Sequence, residues 1–106
     1  MPDKDSWVKS LILECRRFQN DPNLLGRTIT DAQLKALQTR ISATKLELVR
    51  DQRLECLRLI LGYERPISTT WDLSMADAKG FLELVDDEFN TLFMWALLKQ
   101  GAGALI

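Results

Sequence analysis

The chain contains no histidine, and this absence removes more chemistry than any residue present suggests. The commonest general base and the commonest metal ligand go with it. Nucleophile pairs of the Ser–His or Cys–His kind cannot form within one chain. Cysteine is scarce as well, with Cys15 and Cys56 the two copies, too few to complete a four-ligand zinc site without histidine. Both stand among apolar neighbours on predicted helices, where a thiol acts as a small hydrophobe, so a reduced, cytoplasmic setting is expected. The five glycines are scattered as caps and breaks, without a Walker A loop or a Gly-x-Gly-x-x-Gly run, so no phosphate-cradling loop is indicated.

Long apolar runs are missing too. The N-terminus, MPDKDSWVKSLILECRRF, has only LIL as an uncharged apolar run and reads as neither signal peptide nor membrane anchor. The stretch from Leu92 to Leu98 is far below the ~20 residues of a spanning helix, so a soluble, non-secreted protein is expected. Charge of one sign does not dominate either: 14 Lys and Arg against 15 Asp and Glu leave a net charge of −1. No global field would concentrate such a chain on nucleic acid or an anionic membrane. Glu83, Asp86, Asp87 and Glu88 do not have the Asp/Asn/Gly spacing of a calcium loop and read as helix-end charges. No catalytic residue, cofactor or metal is expected.

What is present is helix punctuation. Hydrophobic residues at 46% and charged residues at 27% of 106 residues describe an ordinary folded chain of one domain. The pattern predicts an all-α single-domain bundle of four to five helices, at about 6–19, 31–42, 45–61, 75–86 and 88–100. Ser6 caps the first helix, whose Trp7, Val8, Leu11, Cys15 and Phe18 fall on one side at about 100° per residue. Thr30 with Gln33 forms a capping box for the second, and Thr44 with Glu47 a further pair that starts the third. Gly62 suits the left-handed position that ends it. Ser74 and Asp77 open the fourth, with Ala78, Phe81, Leu82 and Val85 as its buried stripe. Gly80 inside that helix costs roughly 1 kcal/mol relative to alanine and so signals a close helix crossing. The tail from Gly101 to Ile106 reads as frayed and flexible.

Two places are candidates for function. In the last helix, Phe89, Leu92, Phe93, Met94, Trp95, Leu97 and Leu98 surround the axis, and a helix apolar all round must be covered all round. Either a second chain covers it, with Phe89, Phe93, Met94, Trp95 and Leu98 as the partner interface and a homodimer as one form, or it is a central helix sandwiched by the others. The other place is the third helix, where Arg50 and Arg53 continue the stripe of Leu54, Leu57, Ile60 and Leu61. Their stems are expected on the core, with their heads reaching solvent or an acid such as Asp72 or Asp77. With Arg58 and Arg65 they are also the candidate nucleic-acid contacts, although interleaved acids would make phosphate neutralisation weak. The long connection from Tyr63 to Leu73 is either a contact surface or a structural loop pinned by Ile67 and Trp71.

The series Thr30…Gln33…Leu37, Arg53-Leu54…Leu57…Leu61-Gly62, Ile67-Ser68…Asp72-Leu73-Ser74…Asp77-Ala78…Leu82…Val85 resembles a short helical module of phage proteins. It is similar to the C-terminal tails of phage single-strand annealing recombinases and to Mu-type phage regulatory proteins, over residues 29–85. In this chain Asp77 stands where that module usually has glutamate, and Gly80-Phe81 replaces small polar residues. The resemblance implies a docking module of DNA recombination or replication systems, without an active site. The functional expectation is therefore a non-enzymatic helical adaptor of phage or mobile-element type that binds a protein partner. The alternative is a small DNA- or RNA-binding subunit or repressor that uses the arginines of the third helix.

Overall fold

A computed structural model describes residues 4–24, 26–62 and 67–104. Among them are five α-helices: α1 Lys4–Arg16, α2 Asp31–Ala43, α3 Arg50–Leu61, α4 Met75–Leu82 and α5 Asp86–Ala104. A 3-10 turn at Thr70–Asp72 lies between α3 and α4. The only strand-like pairing among the described residues is one bridge between Thr28 and Ser74. The architecture is thus an all-α bundle in which α5 packs on α3 and α1, while α4 packs on α1 and α2.

The caps explain where α2 and α4 begin. Thr30 Oγ1 accepts from the Gln33 N–H at 3.1 Å, and Gln33 Oε1 accepts from the Thr30 N–H at 3.1 Å. Ser74 and Asp77 repeat the exchange at 3.1 and 2.9 Å. The two caps lie side by side, because the Ile29 N–H donates to the Leu73 carbonyl and the Met75 N–H to the Arg27 carbonyl, at 3.0 and 2.9 Å. Gln33 then donates across to the Met75 carbonyl, so α2 and α4 leave from one clamp.

The third helix starts five residues later than its sequence signals suggest. Thr44 closes α2 instead of opening α3, with its hydroxyl donating to the Ile41 carbonyl at 2.6 Å. Lys45 and Glu47 then take positive φ, at 60° and 54°. The reason lies in Leu46 and Leu48, which both pack against the core. On a helix, residues two apart point about 200° away from each other, so an extended, kinked path is what brings both leucines inward. The helix then opens at Val49, whose N–H donates to Gln52 Oε1 at 3.0 Å but whose side chain cannot cap. Gly62 ends it as expected, at φ 107° with its N–H on the Arg58 carbonyl.

Gly80 marks a close crossing of α4 with α1. A Cβ placed there would lie 2.0 Å from the Cys15 carbonyl oxygen, so only glycine lets the two backbones meet. α1 begins at Lys4, so Ser6 lies inside its first turn instead of capping it, and it stops at Arg16, three residues short of the expected Gln19, where three-residue turns follow. This tightening brings Gln19 to donate to the buried carboxylate of Asp77 at 3.3 Å. Phe18 lies between the Arg17 and Lys79 cations, 4.6 and 4.5 Å from its ring centroid.

Three further expectations need correcting. α4 ends at Leu82, and Arg40 donates to the Phe81 and Leu82 carbonyls at 3.0 and 3.2 Å, closing that end. Beyond the helix its periodicity no longer applies, so Leu84 is buried and Val85 is 61% exposed. Trp71 does not enter the core. Asp72 Oδ2 accepts from the Ser68 and Thr69 N–H groups and Thr69 Oγ1 from the Trp71 N–H, and this tied turn sends Ile67 and Leu73 inward while Trp71 stays 49% exposed. Finally, α5 continues through Ala104, so residues 101–104 are helical; 105 and 106 lie outside the described residues, as do Tyr63, Glu64, Arg65 and Pro66.

Candidate functional site

The apolar girdle of α5 resolves into two faces. Phe89, Leu92, Phe93 and Ala96 are buried inside the chain, which corrects the reading of Phe89 and Phe93 as partner contacts. Their rings stack at 4.6 Å, and both meet Phe81 of α4 edge-on, at 6.3 and 5.9 Å. Such a cluster holds α5 at the centre of the bundle. The core face ends at Gln100, which donates to the Gln52 carbonyl and lies 3.1 Å from Cys56 Sγ. The opposite face presents Met94, 40% exposed, and Leu98, 57% exposed. The helix is therefore core on one side and open on the other.

Between these faces runs a groove of about 200 Å³, lined by Val8, Lys9 and Ile12 of α1 with Trp95 and Lys99 of α5. The floor is apolar and the rims are cationic. Lys99 Nζ stands 5.9 Å from the Trp95 ring, the outer limit of a cation–π contact. Neither Lys9 nor Lys99 has an ion-pair partner among the described residues. Lys9, Ile12 and Lys99 were not legible as a site, because the juxtaposition of α1 and α5 is long-range. The local trace of it is Lys99 one turn beyond Trp95.

The four candidate nucleic-acid arginines separate. Arg58 is committed inside the chain, to the Ile67 carbonyl and to Glu55 Oε2, and it holds the α3–α4 connection in place. Arg65 lies outside the described residues. Arg50 donates to the Ser68 carbonyl at 2.9 Å, and its other terminal nitrogen is 3.9 Å from Asp51. Arg53, half-buried, has no hydrogen bond or ion pair among the described residues. Neither arginine pairs with Asp72 or Asp77, the acids the sequence offered: Asp72 is held by backbone N–H groups and Asp77 by Ser74 and Gln19. The Ser68 and Thr69 N–H groups hold the Asp72 carboxyl below its usual range. Arg50 and Arg53 instead line a pocket of about 50 Å³ with Gln38, Ile41, Leu54, Thr69 and Thr70.

Reactive groups are subdued elsewhere. Burial pushes the Cys15 thiol up to about 12 and the Cys56 thiol up to about 11, the latter partly offset by Gln100, so neither forms a thiolate near neutral pH. Among the described residues, no three His, Cys, Asp or Glu side chains converge to hold a metal. In the acidic run, Asp86 meets Arg40 at 2.9 Å and Glu88 accepts from the Val85 N–H, so these carboxylates serve the start of α5. No helix of the described residues is long and apolar enough to cross a membrane. Compared with protein-family models, curated proteins and solved structures, the chain matches none.

Proposed function

We propose that this chain is a small, non-enzymatic helical adaptor of phage or mobile-element type, which binds a protein of a nucleic-acid-processing system through the groove between α1 and α5. The observation that carries the reading is the groove itself: an apolar floor of Val8, Ile12 and Trp95, two lysines without an ion-pair partner among the described residues, and Met94 and Leu98 exposed on the same helix as Trp95. Its partner is an acidic amphipathic segment that inserts one bulky apolar side chain between the lysines. The resemblance of residues 29–85 to phage recombinase tails and Mu-type regulators supports the pathway assignment. The lack of histidine and the two buried thiols support the absence of catalysis.

A second copy of the chain is the competing occupant, and one feature favours it. α5 carries Asp86 and Asp87 in its first turn and Lys99 near its end, so two α5 outer faces running antiparallel set acids against lysine. The reading as a nucleic-acid-binding subunit keeps Arg50 and Arg53 but loses Arg58 to the interior. Displayed helical peptides selected on the purified chain, with counter-selection on a Lys9→Glu/Lys99→Glu variant, test the proposal. Enrichment of acidic sequences with spaced leucine or aromatic residues is expected. Enrichment indifferent to the two lysines, or none at all, rejects it, and light scattering on the same sample identifies a homodimer.

A further inference from the structure

The pocket between α2, α3 and the 3-10 turn was not part of that reading, and its lining is chemically one-sided. Arg50 and Arg53 lie three residues apart on the first turn of α3, so both guanidinium groups share one face. Among the described residues no acidic side chain lines the pocket, and Arg53 brings its charge into a half-buried position without a partner. Around it stand the hydroxyls of Thr69 and Thr70 and the amide of Gln38, over a floor of Ile41 and Leu54. Thr69 Oγ1 accepts from the Trp71 N–H and still has its own proton to donate. α3 adds to the same sign of potential, because Val49 offers its first-turn N–H groups no side-chain acceptor.

We propose that this pocket binds a single phosphate group, presented as a monoester, with Arg50 and Arg53 as its ionic partners and Thr69, Thr70 and Gln38 as neutral donors. The fork of Arg53, the donors that Arg50 retains beside its bond to Ser68, two hydroxyls and an amide exceed what the two oxygens of a carboxylate can accept. A phosphate monoester offers three terminal oxygens and a charge of about −1.5 to −2. An internal phosphodiester has two free oxygens and one charge, and it would leave donors unmet. At about 50 Å³ the pocket admits the phosphate group and leaves whatever carries it outside. Two carboxylates oppose the site from its edges: Asp51, 3.9 Å from Arg50, and Asp72, held at the backbone of Ser68 and Thr69. Their field weakens anion binding at the site.

The test is a titration of the full chain at constant ionic strength, read through the Nε–H resonances of Arg50 and Arg53. The probes are inorganic phosphate, monomethyl phosphate, dimethyl phosphate and chloride. Phosphate and monomethyl phosphate are expected to shift both resonances saturably, and dimethyl phosphate to bind at least 10-fold more weakly. Arg53→Gln, which removes no hydrogen bond or ion pair among the described residues, is expected to weaken phosphate binding at least 10-fold with an unchanged unfolding midpoint. Asp51→Asn, at an exposed carboxylate, is expected to tighten it, and Lys9→Gln to leave it unaltered. Equal responses to the monoester and the diester, a response matched by chloride, or retention of binding in Arg53→Gln would each overturn the proposal. A 5′-phosphorylated oligonucleotide compared with its unphosphorylated twin then tells whether a strand end or a small molecule supplies the group.

Discussion

Replacing Gly80 with alanine sets two effects of opposite sign against each other, and the geometry decides between them. In an unpacked helix the change would stabilise by about 1 kcal/mol, since alanine restricts the unfolded chain and favours helix. Here the added methyl would meet the Cys15 carbonyl oxygen at 2.0 Å, its carbon at 2.7 Å and its Cα at 3.0 Å. Ordinary contact begins at 3.4 Å, so α1 and α4 must part by about 1.4 Å along that line. The atoms in the way are backbone, and they cannot rotate aside as a side chain would. Overpacking of a core costs typically 1–3 kcal/mol, and separating two helices that the Gln19–Asp77 bond ties together just beyond the end of α1 puts this site at or above the upper end. A net loss of about 2 kcal/mol is expected. For a domain of this size that lowers the thermal midpoint by roughly 10 °C. Urea unfolding followed by far-UV circular dichroism gives the free energy, and the retained slope shows whether the native state stayed compact. A Gly80→Ala chain more stable than its parent would mean that propensity alone operates at this position, and the crossing of α1 with α4 would then be wrong.

Three other perturbations probe the remaining supports. Phe93→Glu buries a charge inside the three-ring cluster and is expected to unfold the chain, whereas Leu98→Glu on the open face keeps the parent midpoint within about 0.5 kcal/mol; equal behaviour of the two would refute the division of α5 into faces. Arg16 clamps the end of α3 by donating from Nε and Nη2 to the Ile60 carbonyl, at 3.0 and 2.6 Å, and Arg16→Met, which keeps the stem, is expected to cost about 1.5–3 kcal/mol in chemical denaturation. The thiols govern an alkaline dependence. Their native values are raised, to about 12 for Cys15 and about 11 for Cys56, from 9.0, so the stability they contribute is complete below pH 9.0 and is lost as pH rises towards those native values. The loss is about 1.4 kcal/mol per pH unit per thiol, and the corresponding Cys15→Ala/Cys56→Ala slope should be flatter by that amount.

What could be read from the residues was whatever they decide locally. Thr30 with Gln33, Ser74 with Asp77 and Gly62 act within one turn of helix, and each is found doing what its type and spacing foretold. Gly80 was legible for a different reason: a costly residue in a helix implies a compensating neighbour, though not which one. The misreadings share a cause too. Thr44 and Glu47 have the letters of a cap, but burying both Leu46 and Leu48 outweighs it, and that preference appears only when the core is present. Trp71 looked like an anchor by hydrophobicity, yet the bonds of Asp72 and Thr69 determine which residues of that connection turn inward. Of the candidate sites, Arg50, Arg53 and the Tyr63–Leu73 connection were named separately, and folding brings the two arginines to Thr69 and Thr70 of that connection. The groove between α1 and α5 joins residues almost a full chain apart, and no periodicity carries that.

The arginines show how a chain of net charge −1 comes to have two positive sites. Short helices multiply helix ends, and every C-terminal end leaves carbonyls without an intrahelical donor. Arg16 goes to the end of α3, Arg40 to the end of α4, and Arg58 to the connection that follows α3. Each satisfies a carbonyl that would otherwise face a partly buried environment, and Arg40 and Arg58 are in addition opposed by Asp86 and Glu55. Their donors are engaged within the fold, so counting basic residues along the chain overstates the number of guanidinium groups that could grip a phosphate. Four of the remaining cations stand together in pairs, although Arg50 also donates to the Ser68 carbonyl. Lys9 and Lys99 border an apolar groove, and Arg50 and Arg53 border a polar pocket, so equal charge meets different floors. An apolar floor rewards a ligand with hydrophobic surface behind its acid, and a small pocket ringed with donors rewards a compact polyvalent anion. Two ligands of unlike chemistry on separate pairs of elements are what an adaptor requires if it is to hold both at once.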